Sequence, residues 1–261
     1  MSEGLQQCLV AKHKQVRTVV SSKKIDDLYE KALDLSPYLK GERLSNVSNT
    51  RGLLYIGQDC SRQIKQLYDG LSEANPEAGN GYYLSRTWEL LSWQPLYLSF
   101  VAIYQMQAVP DMRSIVQKFQ PSSVYGFHFT NELMFSDQVQ SLIEQVSNDL
   151  MSLFEGYRRQ IGELVRIRPG FTNYLLADSI LKLVTIFQPI RTDISIDEWQ
   201  QQAQSWLKHT CLPITLLDNL QITDETNQLN YVRTSCCQVY RCKGGALCAD
   251  CPRAVSKKRK S

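Results

Sequence analysis

Neither a G-x-G-x-x-G nor a G-x-x-x-x-G-K-[ST] stretch occurs in the 261 residues of this chain, so no nucleotide or flavin carried on such a loop is indicated. No convincing general acid or base stands out either. Of the three histidines, His13 and His209 stand at no metal-ligand spacing with the clustered cysteines. Long apolar runs are also missing. "LYLSFVAIYQM" comes nearest and is about half of the roughly 20 residues a bilayer span needs. The start, "MSEGLQQCLVAKHKQV", lacks the charged onset and apolar centre of a secretory signal, which sets up the expectation of a cytosolic protein. Charge of one sign is scarce: the net charge is +3, and Lys257, Lys258, Arg259 and Lys260 account for the excess. A near-neutral body argues against a nucleic-acid protein that relies on a broad basic face. The basic tail itself reads as solubilising, or as a weak contact to an anionic membrane face.

What is present is an ordinary soluble composition, 43% hydrophobic and 21% charged, in a chain long enough for a substantial core. "LSNVSNTRG" reads as a loop. Ile64, Leu67, Tyr68 and Leu71 recur at helical spacing until "EANPEAGNG" ends the helix. From Tyr82 to Gln107 the chain is apolar on most faces and rich in aromatics, and Pro95 is expected to kink or break it into a buried helix or helix pair. "AVPDMRSIVQKFQPSSV" reads as a connector with at most a short helix, and "SSVYGFHF" as a strand.

An apolar stripe from Val139 to Leu164 predicts the clearest helix, with Pro169 and Gly170 as its stop. A core helix is expected from about Thr172 to Phe187. Ser195 and Glu198 stand at capping-box spacing and open a helix bearing Trp199, Ala203, Trp206 and Leu207. "LPITLLDNLQITD" is ambiguous. The fold class expected is α+β, predominantly helical. Its division is a helical body over residues 1–225, a cysteine-rich segment over 226–255 and a basic tail over 256–261.

Eight cysteines remain to be explained. Cys8, Cys60 and Cys211 are scattered among apolar or helical residues and read as free buried thiols. The other five lie in "SCCQVYRCKGGALCADCP". In a reducing compartment, clustered thiols suggest a metal or redox work rather than disulfides. Four thiolates suit zinc or an iron–sulfur cluster. Structural zinc usually draws on two C-x₂₋₄-C knuckles, whereas Cys236 and Cys237 are adjacent and point apart in an extended chain. Serving one small ion would require a distorted backbone. A binuclear cluster, with two ligands per iron, offers the wider spread. Gly244 and Gly245 permit unusual backbone angles and are expected to bring N–H groups close to what the thiolates hold. A zinc knuckle that staples the C-terminus, in a protein contacting nucleic acid or another protein, is the alternative.

The spacing C-C-x₁₀-C-x₂-C, with the glycine pair before "LCADCP", resembles the C-terminal signature of the FhuF-type siderophore-iron reductases over roughly Arg233 to Pro252. The resemblance implies a [2Fe–2S] cluster on Cys236, Cys237, Cys248 and Cys251. It also implies a one-electron reduction of Fe³⁺ held by a siderophore, with release of Fe²⁺ in the cytoplasm. A hydroxamate chelate is the favoured partner. Electrons would come from a separate donor such as a ferredoxin or a flavin reductase. A position peripheral to the inner membrane, near an uptake permease, extends the same implication, and a non-catalytic siderophore-binding protein is its variant.

Cys242, inside the ten-residue gap, departs from the signature and is an extra thiol able to substitute for a neighbour. For the chelate, Trp88, Trp93 and Tyr97 are candidates for an apolar wall, Arg86 for an oxygen contact and His128 for a pocket residue. Each aromatic reads equally well as core, and His128 reads more readily as a satisfied core histidine. Arg233, Arg241, Lys243 and Arg253 surround the cysteines and are expected to make the neighbourhood positive, holding an anionic cluster and attracting an acidic donor.

Overall fold

A computed structural model describes residues 23–43, 52–129, 133–136, 138–223 and 227–254. Cys8, His13, most of the "LSNVSNTRG" loop and the basic tail lie outside the described residues. Six α-helices are described: α1 (Lys23–Leu35), α2 (Ser61–Ala74), α3 (Asn80–Met106), α4 (Val139–Gly162), α5 (Pro169–Phe187) and α6 (Ile196–His209). All but α1, for which the sequence reading gave no helix, carry the apolar patterns read from the sequence, and the architecture is α+β and predominantly helical. Short antiparallel strands complete it. β1 (Leu53–Leu54), β3 (Ile115–Gln120) and β4 (Ser123–Phe129) form one sheet in the order β1-β3-β4. β2 (Ala108–Pro110) pairs with β5 (Leu133–Phe135), and β6 (Leu220–Thr223) with β7 (Gln228–Tyr231). No described helix is long and apolar enough to cross a membrane.

Helix α3 is the axis of the molecule. It runs uninterrupted through Pro95, so the expected break does not occur. Proline removes one backbone hydrogen bond, but this helix is buried along most of its length, with Leu91, Leu98 and Phe100 fully enclosed. Burying such side chains stabilises by about 1.5–3 kcal/mol each, enough to outweigh one missing bond. Near its C-terminus α3 enters an aromatic cluster. Phe100 stacks on Trp206 at 4.7 Å between centroids, and the Trp206 indole N–H donates to the Tyr104 hydroxyl at 3.0 Å.

A second, polar tie joins three elements in the core. Gln117 of β3 donates to Gln94 of α3 at 3.1 Å and accepts from Tyr157 of α4 at 2.7 Å. Each of these buried polar groups thereby finds the partner that burial demands.

Other local expectations were met or moved. Ser195 and Glu198 form both halves of the capping box ahead of α6. Pro169 does not terminate α4, which ends at Gly162; it occupies the first turn of α5, where its missing N–H has no helical partner to lose. The supposed connector after α3 is largely extended, containing β2, a 3₁₀ turn at Met112–Ser114 and β3. β3 turns back into β4 as a hairpin, while β2 pairs with the more distant β5, a partnership that local pattern does not reveal. The ambiguous stretch becomes a 3₁₀ helix, Ile214–Asn219, running into β6.

Cys60 is a free buried thiol, as read. Its Sγ lies 2.9 Å from the Gln160 amide oxygen, and burial pushes its pKa up to about 12. Cys211 corrects the same expectation: it is half-buried and disulfide-bonded. It sits at φ 51° just after α6, a bend that takes it off the helix face.

Candidate metal centre and adjoining cleft

After β7 the chain leaves regular structure and lays its cysteines across the helical body. Asp178, buried in the middle of α5, fixes the approach. Its Oδ1 accepts from the Tyr231 hydroxyl at 2.6 Å and from the Thr234 N–H at 2.9 Å, and its Oδ2 accepts from the Ser235 N–H at 2.6 Å. The Ser85 hydroxyl of α3 donates to the Cys237 carbonyl at 3.2 Å. Farther along, Glu77 accepts from the Lys243 N–H at 2.5 Å. Three points on the body therefore hold the segment.

The backbone turns between these anchors. Gln238 adopts a left-handed φ of 60°, turning the chain just after the vicinal cysteines, and its backbone N–H interacts with the Cys236 thiol. Gly244 sits at φ 75°, as expected. Gly245 does not aim its N–H at the thiols; it donates to the Cys242 carbonyl at 2.8 Å and closes a turn. A Cβ on Gly245 would collide with the Val239 carbonyl, which is the reason for glycine there.

The four signature thiols come together as two pairs. Cys237 Sγ lies 3.4 Å from Cys248 Sγ, and the Cys236 thiol interacts with that of Cys251. Each vicinal cysteine meets one member of the downstream C-x₂-C. Cys242 stands elsewhere: it packs against the core edge and interacts with the Tyr82 hydroxyl. Among the described residues, no group of three or more His, Cys, Asp or Glu side chains converges on a single point.

Two sulfurs on one tetrahedral metal, each at about 2.3 Å, stand about 3.8 Å apart, so the 3.4 Å of the first pair is close to a ligating separation. Two pairs suit a binuclear centre with two thiolates per iron better than one zinc ion surrounded by four. Burial raises the Cys248 thiol to about 11 and also raises Cys236, so binding a metal must displace protons from them.

The surroundings are basic in a structured way. Arg233 Nη2 lies 3.6 Å from Cys237 Sγ, and its Nε is 3.2 Å from an Asp250 carboxylate oxygen. Arg241 donates to the Gln238 side chain at 3.2 Å, and the Arg253 guanidinium lies 4.8 Å from the centre of the Tyr240 ring. Lys243 is exposed.

Beside the Cys237–Cys248 pair opens a cleft of about 740 Å³. The thiols of that pair form part of its wall, together with Arg233. Arg86, Trp93 and Tyr97 also line the cleft, and Tyr38 and Tyr125, 68% and 40% exposed, are its most open residues among the aromatics. The Trp93 indole N–H donates to the Val124 carbonyl at 3.2 Å, which holds the ring edge-on to Tyr97.

Trp88 and His128 do not line this cleft. Trp88 is 1% exposed and faces Phe154 and Arg158. His128 is half-buried on β4, with Nδ1 2.9 Å from the Glu42 carbonyl. Helical geometry separates these candidates. Residues 86, 93 and 97 share one face of α3, whereas Trp88 is rotated by about 200° from Arg86. The same spacing would have found Glu89, which lines the cleft and pairs with Arg86 at 3.4 Å. Burial raises the Glu89 pKa, against the pull of Arg86 and Arg233.

Thiols gathered in two pairs on an irregular segment, beside a cleft, are a donor set that suits an iron–sulfur type of site. A family model described as the FhuF 2Fe-2S C-terminal domain matches residues 233–253. The C-terminal segment is thus similar to a 2Fe–2S domain of the FhuF type, and the helical body lies outside the matched residues. No solved structure matches the chain.

Proposed function

We propose that this protein is a ferric-siderophore reductase, in which Cys236, Cys237, Cys248 and Cys251 hold a 2Fe–2S cluster and the adjoining cleft takes the chelate. One observation carries the reading: two of the four signature thiols stand in the wall of an aromatic-lined cavity of about 740 Å³. Such a volume falls within the usual range of small-molecule sites.

A 2Fe–2S centre supplies one electron at a time. The chain's own residues do the rest. Trp93, Tyr97 and the two open tyrosines offer apolar faces to the carbon scaffold of the chelate. Arg86 and Arg233 face its oxygen donors, and the walls restrict water around it. Bound Fe³⁺ gains one electron and becomes Fe²⁺, a larger and less charged ion that hard oxygen donors hold less strongly. No bond of the chelator is cut, so no acid or base is required. The electron is replaced by a separate one-electron donor protein, for which the basic surface at Arg241 and Lys243 is the docking side. A hydroxamate is the favoured chelate. The reading assigns the release of Fe²⁺ to the cytoplasm, with a position peripheral to the inner membrane as its extension.

The test starts from protein purified without oxygen. About two iron atoms and two acid-labile sulfides per chain are expected, with a paramagnet on reduction. The reduced protein is then mixed with a ferric trihydroxamate and a ferrous trap. Reoxidation matched by trapped Fe²⁺ supports the reading; a reduced protein that keeps its electron rejects it. A colourless sample holding zinc would leave the segment as a staple.

A further inference from the structure

The Arg233 guanidinium occupies two places at once. It forms part of the cleft wall, and it also lies 3.6 Å from Cys237 Sγ and 3.2 Å from Asp250. Its side chain is 16% exposed, so little water competes for it. By contrast, Arg86, also in the lining, is 40% exposed and paired with Glu89 at 3.4 Å. Nothing of this kind is seen at the other thiol pair: neither Cys236 nor Cys251 lines the cleft.

We infer that Arg233 is a substrate-positioning residue shared between the chelate and the thiol pair, so that one side chain sets both how tightly an oxygen-donor chelate is held and how readily the Cys237 side of the centre accepts charge. The inference rests on the reductase reading above and specifies which edge of the site the substrate meets. Two physical facts support it. A guanidinium presents five donors in a rigid fork, enough to serve a sulfur, a carboxylate and a chelate oxygen together. A positive charge with an N–H directed at a ligating sulfur favours the reduced state, because reduction adds negative charge at that sulfur. A chelate drawn to Arg233 is therefore drawn to the thiol pair nearest the cleft, which shortens the distance an electron must cross.

The experiment uses the intact protein with its iron and sulfide, and two readouts other than turnover. The midpoint potential is taken by redox titration. Affinity is taken from tryptophan fluorescence on adding the redox-inert gallium(III) complex of a linear trihydroxamate. Arg233→Gln is expected to move the potential to a more negative value and to weaken gallium-complex binding roughly tenfold. Arg233→Lys keeps the charge but not the fork, so most of the potential returns while affinity stays low. Asp250→Asn removes a negative neighbour, so the potential rises with affinity unchanged.

A Gln variant in which either readout stays at the wild-type value overturns the inference, because a purely structural arginine, or one serving only one neighbour, moves at most one of them. If the Gln variant does not retain iron, the Lys variant decides: lost affinity supports the shared role and wild-type affinity refutes it. Failure of the wild-type protein to bind the gallium complex is a different result. It removes the chelate reading of the cleft, and the inference falls with it.

Discussion

Replacing Asp178 tests whether the helical body positions the thiols or merely carries them. This carboxylate is 2% exposed and accepts three hydrogen bonds, all from the stretch Tyr231–Ser235 that leads into the cysteines. Hydrogen bonds to a charged group contribute about 1.5–3 kcal/mol each. Thr234 and Ser235 are not fully buried, so water can replace part of what two of the bonds provide. Asp178→Ala is therefore expected to cost about 4 kcal/mol, lowering Tm by roughly 10 °C in a protein of this size.

Asp178→Asn should fall between wild type and Ala. Its amide oxygen keeps the Oδ1 bonds, while its NH₂ faces the Ser235 N–H donor to donor. The discriminating assay is release of iron to an external chelator at a temperature where all three proteins are folded. The half-time of release should shorten in the order wild type, Asn, Ala. If Ala loses thermal stability yet releases iron at the wild-type rate, the clamp supports the fold alone and the positioning argument is refuted.

The ligand assignment predicts that Cys237→Ser abolishes or severely disturbs the visible spectrum, whereas Cys242→Ser leaves it intact; an unchanged spectrum in the first would show that the wrong thiols were chosen. Asp149 sits among Asp111, Arg113 and apolar residues, and burial first, then Asp111, raises its pKa to about 6 against the pull of Arg113. An acid whose folded pKa lies above its unfolded value binds more protons when folded, so its contribution to stability falls as pH rises from about 4 to 6. Asp149→Asn should flatten that part of the stability curve, with a gain approaching 3 kcal/mol above pH 6 at most, measured by denaturant titration at pH 4.5 and 7. The capping box gives a milder case: Ser195→Ala should cost about 1 kcal/mol in the same titration, and no loss would mean that the cap is redundant.

How much of this was legible depended on whether the deciding force is local. The stripe of α4 and the capping box of α6 are local periodicities, and both were readable. Pro95 and Pro169 were misjudged because a rule about one residue met tertiary burial in the first case and a tolerated first-turn position in the second. Strand β2 was hidden because its partner β5 is distant in sequence, whereas β3 forms a hairpin with β4 across the two residues Pro121 and Ser122, a local turn signal that was passed over. At the site, the cysteine spacing singled out four thiols but carried no information on which of them lie side by side, as Cys237 and Cys248 do. Arg86, Trp93 and Tyr97 do reach the cleft, and Trp88 does not; counting residues around the helix would have separated them. Asp178 gave no signal at all, since an aspartate inside an apolar helix declares its partners only in three dimensions.

The moorings at Asp178, Ser85 and Glu77 have a consequence for how such a segment can be inherited or transplanted. A graft of the last thirty residues or so onto a foreign scaffold would transfer the sulfurs without the surfaces that orient them. The heritable unit is the strip together with the faces of α3 and α5 beneath it, and swapping substrates during evolution calls for change in those faces while the thiols stay as they are.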